Sequence, residues 1–210
     1  MPGPAPEDTP GSLRTLADAV ARVQAPPPEP GPGTAGVLTL FSADDDPELV
    51  LTVRSQLIRQ PGQISFPGGE WEPGDASLVD TALREAGEEV GLRASDARLL
   101  GCLPTSHLVR GVRPIVPVVA WWDGVGDLAV QDAREVAAVR RWPVSVLVAP
   151  ESRVTALHPG GSAGPAWVIG DDFLWGFTAG VVDRLLRLGG WERAWDRARV
   201  IPVPARWRRW

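Results

Sequence analysis

Residues 77–92, SLVDTALREAGEEVGL, limit the fold of this chain more than any other stretch. Asp75 or Ser77 can cap a helix N-terminus there, and Gly91 is the expected stop. At about 100° per residue, Val79, Ala82, Leu83, Ala86 and Val90 are expected on one apolar stripe. Glu85, Glu88 and Glu89 are expected on the other side. Like charges one turn apart repel by roughly 0.2–0.5 kcal/mol per pair on an exposed helix. A chain that builds such a cluster needs a compensating partner for it.

A solvated helix face usually mixes signs, yet Arg84 is the only cation within this helix. It precedes Glu88 by four residues and can orient that carboxylate. The helix follows SFPGGEWEPG (65–74), whose Gly68 and Gly69 permit a tight loop that brings backbone carbonyls and amides close. Hard divalent cations such as Mg²⁺ take oxygen ligands of this kind, and a bound cation would remove the repulsion.

The rest of the chain fits one domain with appendages. It has 210 residues, 44% of them hydrophobic, enough for a core. A formal net charge of -5 argues against a general nucleic-acid binder. All 21 basic residues are Arg, and Tyr is absent while Trp reaches 10, a pattern of genomic base composition rather than of function. One cysteine, Cys102, excludes a disulfide within the chain and fits a reducing cytoplasm; it reads as a small core residue. No secretion signal is expected at the N-terminus, and no run of about 20 apolar residues predicts a membrane span.

GSLRTLADAVARVQ carries Leu13, Leu16, Ala17, Val20 and Val23 at helical spacing, and APPPEPGPG (25–33) reads as a stiff linker. AGVLTLF, ELVLTVRS, RLLGCLPT and RPIVPVVAWW read as strands, the prolines placing the last at an edge or a bulge. REVAAVRRWPV fits a strand or a short helix. SRVTAL and PAWVIG resemble a hairpin. DDFLWGFTAGVVDRLLRLGGW predicts a helix opened by capping aspartates and closed by Gly189 and Gly190. The tail ARWRRW is expected to pack back onto the domain, with contact to an anionic surface as the alternative. The expected organisation is an N-terminal helix and linker over 1–34, a main domain over 35–195 and a tail over 196–210.

REAGEEVGL (84–92), preceded by Gly69, resembles the Nudix box: Gly, five residues, Glu, seven residues, Arg-Glu, an apolar residue, any residue, Glu-Glu, any residue, Gly, an apolar residue. Arg84, Glu85, Ala86, Glu88, Glu89, Gly91 and Leu92 fit. Asp75 departs from it, replacing the first Glu with eight residues rather than seven before Arg84. LTVRSQLIRQPGQISFPGG (51–69) resembles the segment upstream of the box in coenzyme A pyrophosphatases. Leu51, Thr52, Arg54, Ser55, Arg59, Gly62, Phe66, Pro67, Gly68 and Gly69 match it. Two residues rather than three separate Arg59 from Gly62, and Pro61 stands where a His is common. FLWGFTAGVVDRLL resembles the closing helix of that subgroup, so the likeness covers about 35–195.

The resemblance implies an α/β/α sandwich with a mixed central sheet, and hydrolysis of the coenzyme A diphosphate with Mg²⁺ or Mn²⁺. Glu85 and Glu89 are the expected metal ligands, Glu88 a ligand or a ligand's partner, and the Gly69 carbonyl a further ligand by family analogy. Arg84 and Glu88 are expected to take part in catalysis beside Glu85, and Glu135 is the downstream candidate for the general base. Arg54, Arg59, Gly68 and Gly69 are expected at the substrate phosphates, since guanidinium meets phosphate with a fork of parallel donors. Trp121 and Trp122 could stack on adenine, with core packing the stronger expectation for at least one. His107 and His158 lack a metal-like spacing, and Ser106 and Asp172 form no nucleophilic set with them. The expected partner is a coenzyme A-like small molecule, with no nucleic acid and no membrane, in a chain compatible with a homodimer. The alternatives are a Nudix hydrolase for ADP-ribose, a dinucleotide or a nucleoside triphosphate, and a nucleotide-sensing Nudix module that does not turn over its ligand.

Overall fold

The computed structural model describes residues 6–107, 114–124 and 126–207. Arg113 of the expected RPIVPVVAWW strand and residues 208–210 of the Arg/Trp tail lie outside them. The elements in chain order are α1 (Arg14–Val23), β1 (Ala35–Ser42), β2 (Glu48–Arg54), β3 (Ile64–Ser65), β4 (Gly68–Glu70), α2 (Leu78–Val90), β5 (Arg98–Cys102), β6 (Ser106–His107), β7 (Pro114–Trp122) and β8 (Val136–Pro143). There follow α3 (Val144–Leu147), β9 (Arg153–Leu157), β10 (Ala163–Ile169), β11 (Asp172–Leu174), α4 (Gly176–Leu188) and β12 (Val200–Pro202).

The main sheet runs β3-β2-β1-β7-β5, with β4 also on β1, β6 on β7 and β8 on β2. It is mixed: β1 and β7 are parallel, while β1–β2, β2–β8 and β5–β7 are antiparallel. Alternate residues of each strand feed opposite faces. Leu38, Leu40, Val116, Val118, Ala120 and Trp122 pack under α2. Phe41, Val119 and Trp121 pack toward α1 and α4, whose Leu16, Val20, Val182 and Leu185 close the opposite core together with Leu13 just before α1. Helices on both sides of a mixed sheet are the architecture expected. α1 shares this core through Leu16, Ala17 and Val20.

A second sheet, β11-β10-β9-β12, joins the predicted hairpin β9–β10 to the tail. β12 adds in parallel to β9, and Val203 beyond it is fully buried, so the tail through residue 207 packs onto the body. Arg140 of β8 meets Asp172 of β11 at 2.6 Å and ties the two sheets.

Three local expectations change and two open ones are decided. β7 is central, not an edge, despite Pro114 and Pro117. In an extended strand a residue's N and O face the same neighbour. The Pro117 carbonyl accepts from Leu103, where the chain passes from β5 to β6, so the missing N–H costs the ladder with β1 nothing. REVAAVRRWPV forms β8, running directly into the short α3. Asp171 and Asp172 do not cap α4; they close the β10–β11 hairpin, and Trp175 holds the N-cap position. In α2, Ser77 is the N-cap, accepting from Asp80 N–H, and Gly91 ends the helix with φ 78°.

The third change concerns Glu89, expected opposite the apolar stripe but 7% exposed. The helical arithmetic explains it. At about 100° per residue, Leu78, Ala82, Glu85 and Glu89 fall within about 60° of one another. Leu78, Ala82, Ala86 and Val90 are the buried apolar face, Val79 and Leu83 lie on its flank, and Glu89 enters from the core side.

Candidate active site

α2 packs on β1 and β4, and this contact aims the carboxylates. Gly68 N–H donates to Glu89 Oε2 at 3.2 Å. At Gly69 a Cβ would overlap the Glu85 carboxylate, so only glycine leaves that carboxylate its place. Glu135, just before β8, arrives from the other side: Ser55 N–H donates to its carbonyl at 2.8 Å and draws the loop against the end of β2. Glu85, Glu89 and Glu135 thus present carboxylate oxygens that all lie within 4.8 Å of one another.

The electrostatics are those of like charges gathered where water is scarce. Burial pushes the Glu89 carboxyl up to about 8, against the pull of the Gly68 N–H, and Glu85 and Glu135 add to the rise. Burial also raises Glu85, opposed by Arg84. Arg54, half-buried, faces Glu89 and Glu135; burial lowers its pKa while those carboxylates raise it. A hard divalent cation fits this donor set: three carboxylates converge, and their charges oppose one another without it.

Arg84 binds around the rim. Its Nε meets Asp75 Oδ1 at 3.0 Å and its Nη1 meets Glu85 at 3.2 Å and Glu88 at 3.1 Å, while Nη2 donates to the Glu70 carbonyl at 3.1 Å. Asp75 also accepts from Thr81 Oγ1 and Glu72 N–H, and the Arg84 hydrogen bond holds its carboxyl below the usual range. Glu88 is 60% exposed at its side chain and stands outside the three-carboxylate group. Arg59 is exposed and joins the site through its backbone, its carbonyl accepting from Arg54 Nε at 3.0 Å.

Trp121 and Trp122 are both buried in the cores, so neither offers a face to adenine. The side chains of Ser106 and His107 lie outside the described residues. His158 packs edge-on to Trp175 at 5.4 Å, and Cys102 is a half-buried thiol whose pKa burial raises. No described helix is long and apolar enough to cross a membrane. Spacing alone does not bring Glu135 beside Glu85 and Glu89; the hydrogen bond from Ser55 N–H to the Glu135 carbonyl draws it there, and it is visible only in the fold.

Fold and site together define an α/β domain that offers a helix-borne carboxylate cluster, flanked by an arginine, to a small anionic ligand. A model of the NUDIX domain matches residues 32–159, and the chain belongs to the Nudix hydrolase family. An uncharacterized Nudix hydrolase, NudL, of Yersinia enterocolitica is 35% identical over 185 residues, which cover 83% of this chain and 93% of that protein. The human mitochondrial coenzyme A diphosphatase NUDT8 is 35% identical over 186 residues, covering 83% and 75%. Among solved structures, the Nudix hydrolase RenU of M. smegmatis shares the fold with a TM-score of 0.52 at 17% identity, over 78% of this chain and 89% of that one.

Proposed function

We propose that the protein hydrolyses the diphosphate bond of coenzyme A to adenosine 3′,5′-bisphosphate and 4′-phosphopantetheine, with Mg²⁺ or Mn²⁺. The observation that carries the reading is the Glu85–Glu89–Glu135 cluster with Arg54 beside it. The 35% identity to a coenzyme A diphosphatase supports the choice of substrate. Glu85, Glu89 and the Gly69 carbonyl would hold the ion, with the Glu135 carboxylate beside it. With the ion bound, the chemistry supplied is neutralisation of the diphosphate charge and a lowered pKa for the attacking water.

The chain's own groups do the rest. Arg54 binds and orients the diphosphate with its fork of N–H donors, and Arg59 adds a peripheral cation. Arg84 holds Glu85 and Glu88 in place from the rim. Glu135, the exposed carboxylate of the three, takes the proton of the water whose oxygen forms the new P–O bond as the bridging P–O bond breaks. The short spacing between Arg59 and Gly62 supports a second reading, in which the substrate is another nucleoside diphosphate derivative such as ADP-ribose.

Incubation with coenzyme A, ADP-ribose and deoxynucleoside triphosphates, with Mg²⁺ or with EDTA, separates the two. Release of both coenzyme A halves with Mg²⁺ alone is expected. Cleavage of ADP-ribose with coenzyme A left intact would replace the first reading with the second.

A further inference from the structure

The last residue of β2, Arg54, and the loop that follows it to β3 carry the two arginines of the proposed diphosphate site, and the segment closes on itself. Gly62 N–H donates to the Arg54 carbonyl at 2.8 Å, and Arg54 Nε donates to the Arg59 carbonyl at 3.0 Å. Its near end is tied to the cluster through Ser55 and Glu135. Its far end is held by a residue about 145 positions away in the chain, Trp207. A Cβ on Gly62 would lie 2.6 and 3.2 Å from two carbons of the Trp207 ring, so the indole fills the space that a side chain at Gly62 would need. Gln63 Nε2 donates to the Trp207 carbonyl at 3.2 Å.

Trp207 is itself fixed from behind. Its backbone N–H closes a turn onto the Pro204 carbonyl at 2.9 Å, and Val203 N–H donates to the Leu157 carbonyl of β9 at 3.0 Å. The Arg206 guanidinium lies over the indole at 4.9 Å and donates to the Asp171 carbonyl at 3.2 Å. The indole Nε1 is buried with no hydrogen-bond partner among the described residues, so the ring acts by its shape. A line of contact therefore runs from the second sheet through Trp207 and Gly62 to Arg54, which faces Glu89 and Glu135.

We propose that Trp207 is a positioning residue for substrate: its ring against Gly62 sets the Arg54–Gly62 loop, and so holds the guanidiniums of Arg54 and Arg59 at the diphosphate. This rests on the proposed function for the identity of the substrate, but not for the anion chemistry. A loop left without this support samples conformations in which the arginine fork misses the diphosphate, which weakens binding without altering the groups that break the bond.

The test uses the full chain with Trp207→Ala and Trp207→Phe. It reads steady-state kinetics on coenzyme A, calorimetry with inorganic pyrophosphate in Mg²⁺, and calorimetry with Mn²⁺ alone. In Trp207→Ala, KM is expected to rise ~10-fold with kcat within ~2-fold, pyrophosphate to weaken by a like factor, and Mn²⁺ affinity to hold. Trp207→Phe keeps a ring over Gly62 and is expected to restore most of the loss. Where Trp207→Ala does not fold, Gln63→Leu removes the second contact to Trp207 and should raise KM ~2-fold.

Unchanged KM and pyrophosphate affinity in these variants overturn the proposal. So does a fall in kcat that follows the loss of folded protein while KM stays constant. If the wild type leaves coenzyme A intact, the proposed function fails, and the pyrophosphate arm still decides the role of Trp207.

Discussion

Gly69 and Glu85 are so close that a methyl group on Gly69 would lie 2.9 Å from Glu85 Oε2 and nearer still to Oε1. The obstacle is the end of a side chain, which can swing away at little cost to the fold. Gly69→Ala is therefore expected to fold normally and to lower kcat by ~10²-fold, because Glu85 leaves the cluster. Gly68→Ala is the control. Its Cβ would meet the Val37 Cα at 2.6 Å, a backbone atom that cannot move aside, at a φ of 152°. It is expected to lose about 2–3 kcal/mol of stability, read by urea titration.

The second prediction concerns pH. In the metal-free protein Glu89 has its carboxyl raised from 4.5 to about 8, and Glu85 is raised too. A raised carboxyl means that the folded state binds more protons than the unfolded one across that window. Stability is then full below about 4.5 and falls as pH rises toward about 8, by an amount on the order of a few kcal/mol. Urea midpoints in EDTA should fall from pH 5 to pH 8, and millimolar Mg²⁺ should abolish the fall. Glu89→Gln keeps an acceptor for the Gly68 N–H, so it should flatten the EDTA profile while removing activity. A flat wild-type profile in EDTA would refute the account.

Much of this fold was legible in the chain. The α2 helix, its Gly91 stop, the strands β1 and β2 and the β9–β10 hairpin follow from local pattern alone. What was not legible depends on partners. Pro117 reads as an edge residue until the gap between β5 and β6 shows that its side of the ladder needs no donor. Asp172 reads as a cap until Arg140 of β8 takes its carboxylate. Glu89 reads as lying opposite the apolar stripe because its charge sets it apart from the apolar residues, although its helical angle already put it beside Leu78 and Ala82. Arg153 gave no signal at all. It is buried between Trp167 and Trp195 at 4.8 and 4.6 Å from their ring centres, paired with Asp183, and no local pattern encodes that.

Asp75, the residue that departs from the family box, is the third case. It accepts two donors from Arg84 at 3.0 and 3.2 Å while Arg84 also reaches Glu85. Asp75→Asn removes the charge that holds Arg84 and is expected to cost about 1–3 kcal/mol and to lower kcat ~10-fold through Glu85. The Asp75 carboxyl is depressed below 3.8, so its contribution is present above that pH and is lost as pH falls through the lowered value. The stability gap between wild type and Asp75→Asn should therefore be constant at neutral pH and close in acid. Chemical denaturation at pH 7 and along an acid series measures both ends.

Arg54 and Arg59 differ in burial, and their variants should differ in kind. Arg54 is half-buried against Glu89 and Glu135, while Arg59 is exposed. Screening by water and salt weakens an exposed cation far more than a half-buried one. Arg54→Ala is expected to raise KM ~30-fold and Arg59→Ala ~3-fold, the second effect fading as salt increases. Arg54→Lys keeps the charge but loses the fork, so it should recover only part of the loss. Removing Arg54 also takes a cation away from Glu89, which pushes that carboxyl higher still. The metal-free Arg54→Ala protein should then lose more stability than wild type between pH 5 and pH 8. That second readout requires no substrate, and its absence would show that Arg54 does not face the carboxylates in solution.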